Sequence, residues 1–165
     1  MKIGVVSDTH LKGYDERLKR IADKYFADAG LILHAGDLVD LRVLDAFSGR
    51  EVRAVHGNMD PGETRGALPE KTVVEAGGFR IGLIHGWGSP FGLGRKLRKE
   101  FADIDCLVYG HSHYPDNRRD GILYFNPGSA AGNLMWTGKT IGMLEIGENG
   151  ISGRIIGLRD SSRAF

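Results

Sequence analysis

The stretch C-L-V-Y-G-H-S-H, residues 106–113, decides how this chain folds. Cys106, Leu107, Val108 and Tyr109 form an unbroken apolar run, the pattern of a strand covered on both faces. A glycine follows, then two imidazoles one residue apart, His111 and His113. The same layout recurs through the chain. The run at residues 2–7 ends in Asp8 and His10, Leu31–His34 leads through A-G to Asp37, and residues 52–56 lead into G-N-M-D with Asn58 and Asp60. The run at residues 81–85 ends in His85, before Gly86 and Trp87. In stacked α/β sheets the carboxyl ends of strands converge on one edge, where ligands bind. Five such ends would bring their polar residues together.

Between the early runs lie helical patterns. Leu18, Ile21, Ala22 and Tyr25 follow an i, i+3, i+4, i+7 stripe. Asp40 is placed to cap a short helix carrying Leu41, Leu44 and Phe47. Ser89-Pro90 reads as a helix entrance ahead of Leu93, Leu97 and Phe101. The later chain is β-rich. Lys71–Ala76 and residues 79–85 form a predicted hairpin around Gly77-Gly78. Residues 121–125, 139–146 and 151–158 read as further strands, with a mobile tail beyond. The expectation is a single α/β domain over residues 1–165, built as two sheets packed face to face with helices outside.

Composition narrows the function classes. A net charge of +1 gives no general attraction to nucleic acid or membrane. No stretch approaches the roughly 20 apolar residues of a membrane span, and the opening M-K-I-G-V-V-S-D lacks a signal-peptide pattern. The single cysteine, Cys106, rules out an internal disulfide and suits a reducing cytoplasm, so a cytoplasmic location is expected. Its apolar neighbours make it a core residue rather than a nucleophile. Glycine is abundant, 25 of 165 residues, about twice the usual ~7%. The glycines fall at segment ends, where turns or close backbone approach need them.

Taken singly, Asp8, His10, Asp37, Asn58, His85, His111 and His113 each have an ordinary reading as a cap, a turn residue or a satisfied core histidine. Together at buried strand ends they are costly without partners. A pair of metal ions satisfies them all. Two carboxylates, four imidazoles and an amide oxygen suit manganese, nickel, iron or zinc. The lack of a thiolate argues against a structural zinc site. Seven donors exceed the needs of one ion but suit two sharing a bridging carboxylate, roughly 3.5–4 Å apart, a spacing that clamps a phosphoryl group.

The ordered series D-x-H, G-D, G-N, H-G and G-H-x-H, from Asp8 to His113, resembles the calcineurin-like metallophosphoesterases. The short chain and N-P-G-S at residues 126–129 are similar to the small bacterial and archaeal phosphodiesterase branch. The resemblance implies a four-layer α/β/β/α sandwich of two mixed β-sheets. By position, it puts Asp8, His10 and His113 on one ion and Asn58, His85 and His111 on the other, with Asp37 bridging. It also implies a phosphoesterase, foremost a phosphodiesterase, in which a metal-bridging hydroxide attacks phosphorus. Two divalent ions against two aspartates and one hydroxide keep a small positive charge, which favours an anionic ester.

The chain departs from many relatives at one point. Where they carry G-N-H-D or G-N-H-E, it has G-N-M-D, and the Met59 thioether donates no proton. That disfavours monoesters with poor leaving groups and leaves open what protonates the leaving group. Asn58 and Asp37 are expected in the reacting centre, with Asp60 supporting a ligand from behind. His56 is a minor candidate acid, and His34 reads as structural or as support for Asp37. N-P-G-S either presents amides near the site or is only a turn. Trp87 and Tyr114 either line a substrate pocket for an aromatic or nucleoside group or simply pack. R-K-L-R-K at 95–99 reads as a solvated helix face rather than an RNA contact. Expected partners are a small phosphate ester, with nucleic acid only as a small nucleotide-like substrate, and a homo-dimer or higher homo-oligomer through exposed sheet edges. Competing readings are a non-catalytic binding scaffold like the retromer subunit of this fold, a phosphomonoesterase, or a nuclease, the last lacking a broad basic groove.

Overall fold

The computed structural model describes residues 1–132 and 138–158; the tail after Leu158, expected to be mobile, lies outside them. Two five-stranded sheets are present. The first holds β1 (Lys2–Val6), β2 (Leu31–His34), β3 (Glu51–Ala54), β9 (Thr140–Gly147) and β10 (Gly150–Gly157), in the order β10-β9-β1-β2-β3. The second holds β4 (Lys71–Ala76), β5 (Phe79–Ile84), β6 (Cys106–Tyr109), β7 (Asp116–Asp120) and β8 (Ile122–Asn126), in the order β4-β5-β6-β8-β7. β1, β2 and β3 run parallel, as do β5, β6 and β8, while the flanking strands are antiparallel. Both sheets are therefore mixed, and each has a parallel centre whose carboxyl ends face one edge.

The apolar runs divide between two faces, as the period-2 geometry of strands requires. From β1, Ile3 and Val5 enter a core between the sheets, while Val6 faces outward. From β6, Cys106 and Val108 point inward, while Leu107 and Tyr109 point outward. The outer face of the first sheet packs on α1 (Glu16–Tyr25) and a 3₁₀ helix (Leu41–Phe47). The outer face of the second packs on α3 (Leu93–Arg98). The result is the expected four-layer α/β/β/α sandwich. Cys106 is fully buried, and burial pushes its thiol far above the usual range, as a core residue requires.

Local departures from the sequence reading have physical causes. Asp40 does cap the following helix, accepting from Arg42 N at 2.8 Å. The helix is 3₁₀, whose three-residue period keeps Leu41, Leu44 and Phe47 in one row; Phe47 is buried with Val43 and Ala46, Leu44 packs against the same core, and Leu41 lies at its margin. α3 starts at Leu93 on a left-handed Gly92, three residues after Ser89. β7 reads D-N-R-R-D and escaped detection because an edge strand can be almost wholly polar, which also blocks unwanted edge pairing. α2 (Gly62–Ala67) is six residues with two glycines, too short for a periodic signal.

Phe125 of β8 closes the gap between the sheets. Its ring lies against Gly142 of β9 and Gly153 of β10, where an added Cβ at either position would stand 2.5 Å from the ring. The two glycines, on neighbouring strands of one sheet, leave a slot for the aromatic ring. Gly153→Ala is therefore expected to cost about 1–3 kcal/mol in denaturant unfolding. Combining it with Phe125→Leu should recover part of that loss, and strictly additive losses would refute the slot.

Candidate metal centre

The loops that leave the parallel strands share an unusual backbone. Six described residues other than glycine have positive φ, and five are predicted ligands: Asp8 (54°), His10 (49°), Asp37 (56°), His111 (67°) and His113 (58°). The sixth is Val39 (81°). Left-handed residues with a Cβ cost of order 1 kcal/mol or more each and cluster where function holds them. D-T-H after β1 and H-S-H after β6 thus repeat one device. Each alternates left-handed ligand, ordinary residue, left-handed ligand, so both side chains turn to the same edge. His111 and His113 stand one apart for that reason.

Asp8 is fully buried. Its Oδ2 accepts from Ser7 Oγ at 2.5 Å and from the His111 backbone N–H at 3.2 Å. Its Oδ1 is buried without a hydrogen bond, yet three imidazole nitrogens surround it. His113 Nε2 lies at 3.0 Å, His10 Nε2 at 3.9 Å and His85 Nε2 at 4.0 Å. His10 Nε2 and His113 Nε2 are themselves 3.5 Å apart. Asp8, His10 and His113 form one compact donor triplet, and Asp8, Asp37 and His85 a second.

The other lobe centres on Asn58 Oδ1, which lies 2.9 Å from His111 Nδ1 and 3.2 Å from His85 Nε2. His111 Nε2 is 3.0 Å from Gly88 O and His85 Nδ1 is 2.7 Å from Ala35 O. Each of those contacts needs the ring to donate, which turns the opposite nitrogen's lone pair toward Asn58. His85 Nε2 also lies 3.3 Å from Asp37 Oδ2. In the Asn58 lobe acceptors therefore meet acceptors, and in the Asp8 lobe a buried carboxylate oxygen lies among three imidazole nitrogens. Such a cluster is expensive unless a cation sits among its members, and nitrogen and oxygen donors of this kind fit a divalent transition ion. Without one, protons partly fill the role. Burial opposes charge on His85, yet Asp37 and Asp8 hold it above its ordinary pKa. His113 is held up by its contact with Asp8. Burial likewise opposes ionisation of Asp37, but His85 holds it below the usual carboxylate range.

Backbone contacts fix this frame. The hydrogen bonds of Asp60 among the described residues go to backbone. It accepts the N–H groups of Gly57 (2.7 Å), Asp37 (3.0 Å) and Val39 (2.6 Å), clasping the loops after β2 and β3 together. Met59 contributes its backbone N–H to Asp37 Oδ1 at 2.7 Å, while its side chain is 60% exposed. Close approach explains two glycines: a Cβ on Gly57 would overlap Asp37 Oδ1, and one on Gly110 would overlap Ser7 Oγ. N-P-G-S is a brace rather than an amide donor to the site. Asn126 Nδ2 donates to Gly110 O (2.9 Å) and Ser112 Oγ (3.0 Å), and Ser129 Oγ to Asp8 O (3.0 Å). Ser7 escaped the sequence reading, and the bracing role of Asn126 was not legible in N-P-G-S, because their partners, Ala35 O and Gly110 O, each follow a neighbouring strand of the same sheet as the donor.

His34 is structural. It is wholly buried, with Nε2 at 3.1 Å from Thr9 Oγ1 and Nδ1 accepting from Gly36 N at 3.2 Å. Burial pushes its pKa down to about 3, so it stays neutral. The two aromatics divide between separate depressions. Trp87 shares one with His56, Asn58 and His85, and Tyr114 lines another of about 460 Å³ with Tyr109, Asp116 and Arg118. The basic run at 95–99 is largely engaged. Arg95 pairs with Asp120 (3.3 Å), Lys96 donates to Trp87 O (3.0 Å) and Arg98 to Phe101 O (2.7 Å). His34→Phe keeps the ring but strands the Thr9 hydroxyl and the Gly36 N–H. Denaturant unfolding should lose about 2–4 kcal/mol, and a loss below roughly 0.5 kcal/mol would remove His34 from the frame.

Comparison with known proteins agrees with this geometry. The Calcineurin-like phosphoesterase superfamily domain matches residues 1–149. A probable metallophosphoesterase of Methanocaldococcus jannaschii is 42% identical over 136 residues, spanning 78% of this chain and 68% of the relative. Another, of Methanothermobacter thermautotrophicus, is 38% identical over 78% of this chain and 77% of its own length. Among solved structures, one described as a novel archaeal phosphodiesterase superposes with a TM-score of 0.74 at 25% identity, covering 94% of this chain and all of that one. Zinc-complexed Vps29 from Entamoeba histolytica superposes at 0.68 with 24% identity over 94% of this chain and 98% of its own, a likeness of fold alone. With the family's domain covering most of its length and a two-lobed set of candidate metal donors at its strand ends, the chain belongs to the calcineurin-like phosphoesterase superfamily.

Proposed function

We propose that this protein is a divalent-metal-dependent phosphodiesterase. The observation that carries the reading is a pair of close donor-atom clusters, Asp8 Oδ1 among imidazole nitrogens and Asn58 Oδ1 between His85 and His111. Asp8, His10 and His113 would hold one ion, Asn58, His85 and His111 the other, and Asp37 would lie between them. When bound, two such ions supply Lewis acidity and an activated water near neutral pH. The rest falls to the chain. Hydrogen bonds from Ser7 and the His111 N–H hold one oxygen of Asp8, leaving the other to face the site. His85 and His111 are oriented by carbonyls behind them, as ligating imidazoles are in metal sites. The left-handed backbone sets the donors before substrate arrives, which saves reorganisation during reaction.

Preference for diesters rests on Met59. Its side chain projects beside Asn58 into solvent, with no proton to give a leaving group. Diesters carry one negative charge fewer than monoester dianions and gain less from such a donor. The scaffold reading finds support in the Vps29 likeness of fold, but a pure scaffold has no use for seven costly donors, five of them held in strained backbone. Manganese, nickel, iron and zinc all suit the donor set.

Protein stripped with chelator and reloaded with manganese or nickel should hydrolyse bis(p-nitrophenyl) phosphate. Asp37→Ala and His113→Ala should lower kcat/KM by roughly 100-fold or more, and unchanged turnover in either would sink the reading. Met59→His should raise the ratio of phenyl phosphate to diester turnover by roughly tenfold or more. A ratio that stays flat would mean that position 59 does not set the preference.

A further inference from the structure

Beside the Asn58 lobe lies a recess of about 210 Å³ that the metal donors do not need. It is lined by His56, Asn58, Arg65, Glu70, His85 and Trp87, among others. Drug-sized ligands occupy roughly 300–1,000 Å³, so this recess suits a smaller fragment, of the order of one fused ring. Its wall and rim are chemically mixed. Trp87 offers an indole whose ring carries the Lys96 ammonium 4.5 Å from its centroid. Arg65 donates to the Asn58 backbone carbonyl at 2.5 Å, which fixes the guanidinium next to a metal donor. Glu70 has neither a hydrogen bond nor an ion pair among the described residues, so its carboxylate is an open acceptor. His56 Nδ1 is buried without a partner.

Aromatic surface, an open carboxylate acceptor and N–H donors together match a planar ring with both donor and acceptor atoms on its edge. Resting on the phosphodiesterase reading above, the geometry points to this recess as the seat for a nucleobase on one esterified group, so that the substrate class is a small nucleotide diester. Trp87 supplies the stacking surface, Glu70 accepts from an exocyclic amino group, and Arg65 donates to a ring acceptor. Aliphatic esters would leave Glu70 and Arg65 without new partners and gain nothing from the indole. The recess adjoins Asn58 and His85, so a base seated there leaves its phosphate at the donor cluster. These are positioning and specificity contacts; none takes part in bond cleavage.

The test compares the methyl ester of adenosine 5′-monophosphate with its abasic counterpart, the methyl ester of ribose 5-phosphate, by chromatography with the manganese-loaded enzyme. Wild type should favour the adenosine ester by roughly tenfold or more in kcat/KM, as base stacking allows. Trp87→Ala and Glu70→Ala should each shrink that ratio at least threefold, mainly through KM. A second readout needs no turnover. The chain has two tryptophans, Trp87 and Trp136. In a Trp136→Phe background, adenosine titrated into metal-free protein should quench the remaining indole saturably, with Kd raised at least fivefold by Glu70→Ala. Equal treatment of the two esters, or a preference that survives both variants, overturns the nucleobase seat while leaving the phosphodiesterase reading intact. If neither ester is cleaved under manganese or nickel, the phosphodiesterase reading is what fails. The titration then decides the recess alone: quenching weakened by Glu70→Ala supports it, and no quenching overturns it.

Discussion

The whole arrangement depends on one buried carboxylate. Asp8 leaves the end of β1 in the first sheet, and one of its oxygens accepts the backbone N–H of His111, which follows β6 in the second. The bond ties the sheets together at the edge where their parallel strands end. Burying a carboxylate is costly, and half of this one is compensated by Ser7 and His111. The other half faces imidazole nitrogens with no hydrogen bond. The fold thus stops one partner short of neutralising its central charge, and the shortfall lies where a cation would cancel it. Stability and chemistry meet in the same atom.

The strands were legible because their apolar runs are short, continuous and separated by glycine-marked ends. Ile3, Val5, Cys106 and Val108 on one face and Val6, Leu107 and Tyr109 on the other follow from alternation alone. Elements without a hydrophobic signature were not legible. β7 is polar because it sits at an edge, and α2 is too short to show a period. The 3₁₀ turn was found by its Asp40 cap and the three-residue spacing to Phe47, while the burial of Val43 and Ala46 beside that row was not read.

The donor residues were legible through order and spacing, but the backbone that aims them was not. Nothing in the letters D-T-H or H-S-H announces positive φ at both outer residues, because aspartate and histidine adopt it only when surrounding contacts enforce it. Asn126 and Ser129 enforce it from behind, and both stand far from their partners in sequence. Asp60 was expected behind a ligand. Its actual partners are three backbone N–H groups on two loops, a task that proximity to Asn58 in sequence could not reveal. Trp87 and Tyr114, two residues of one type of chemistry, separate into different depressions because they follow different strands of the second sheet.

Position 59 shows how the frame and the reaction are divided. The chain uses Met59 for its peptide N–H, which holds Asp37, and leaves its side chain in water. Any residue other than proline supplies that same bond. Substitution there is therefore nearly free in folding terms, while the side chain stands next to the reacting centre. Such a position is an evolutionary dial: a lineage can explore new leaving groups one codon at a time without first rebuilding the frame that positions the candidate donors.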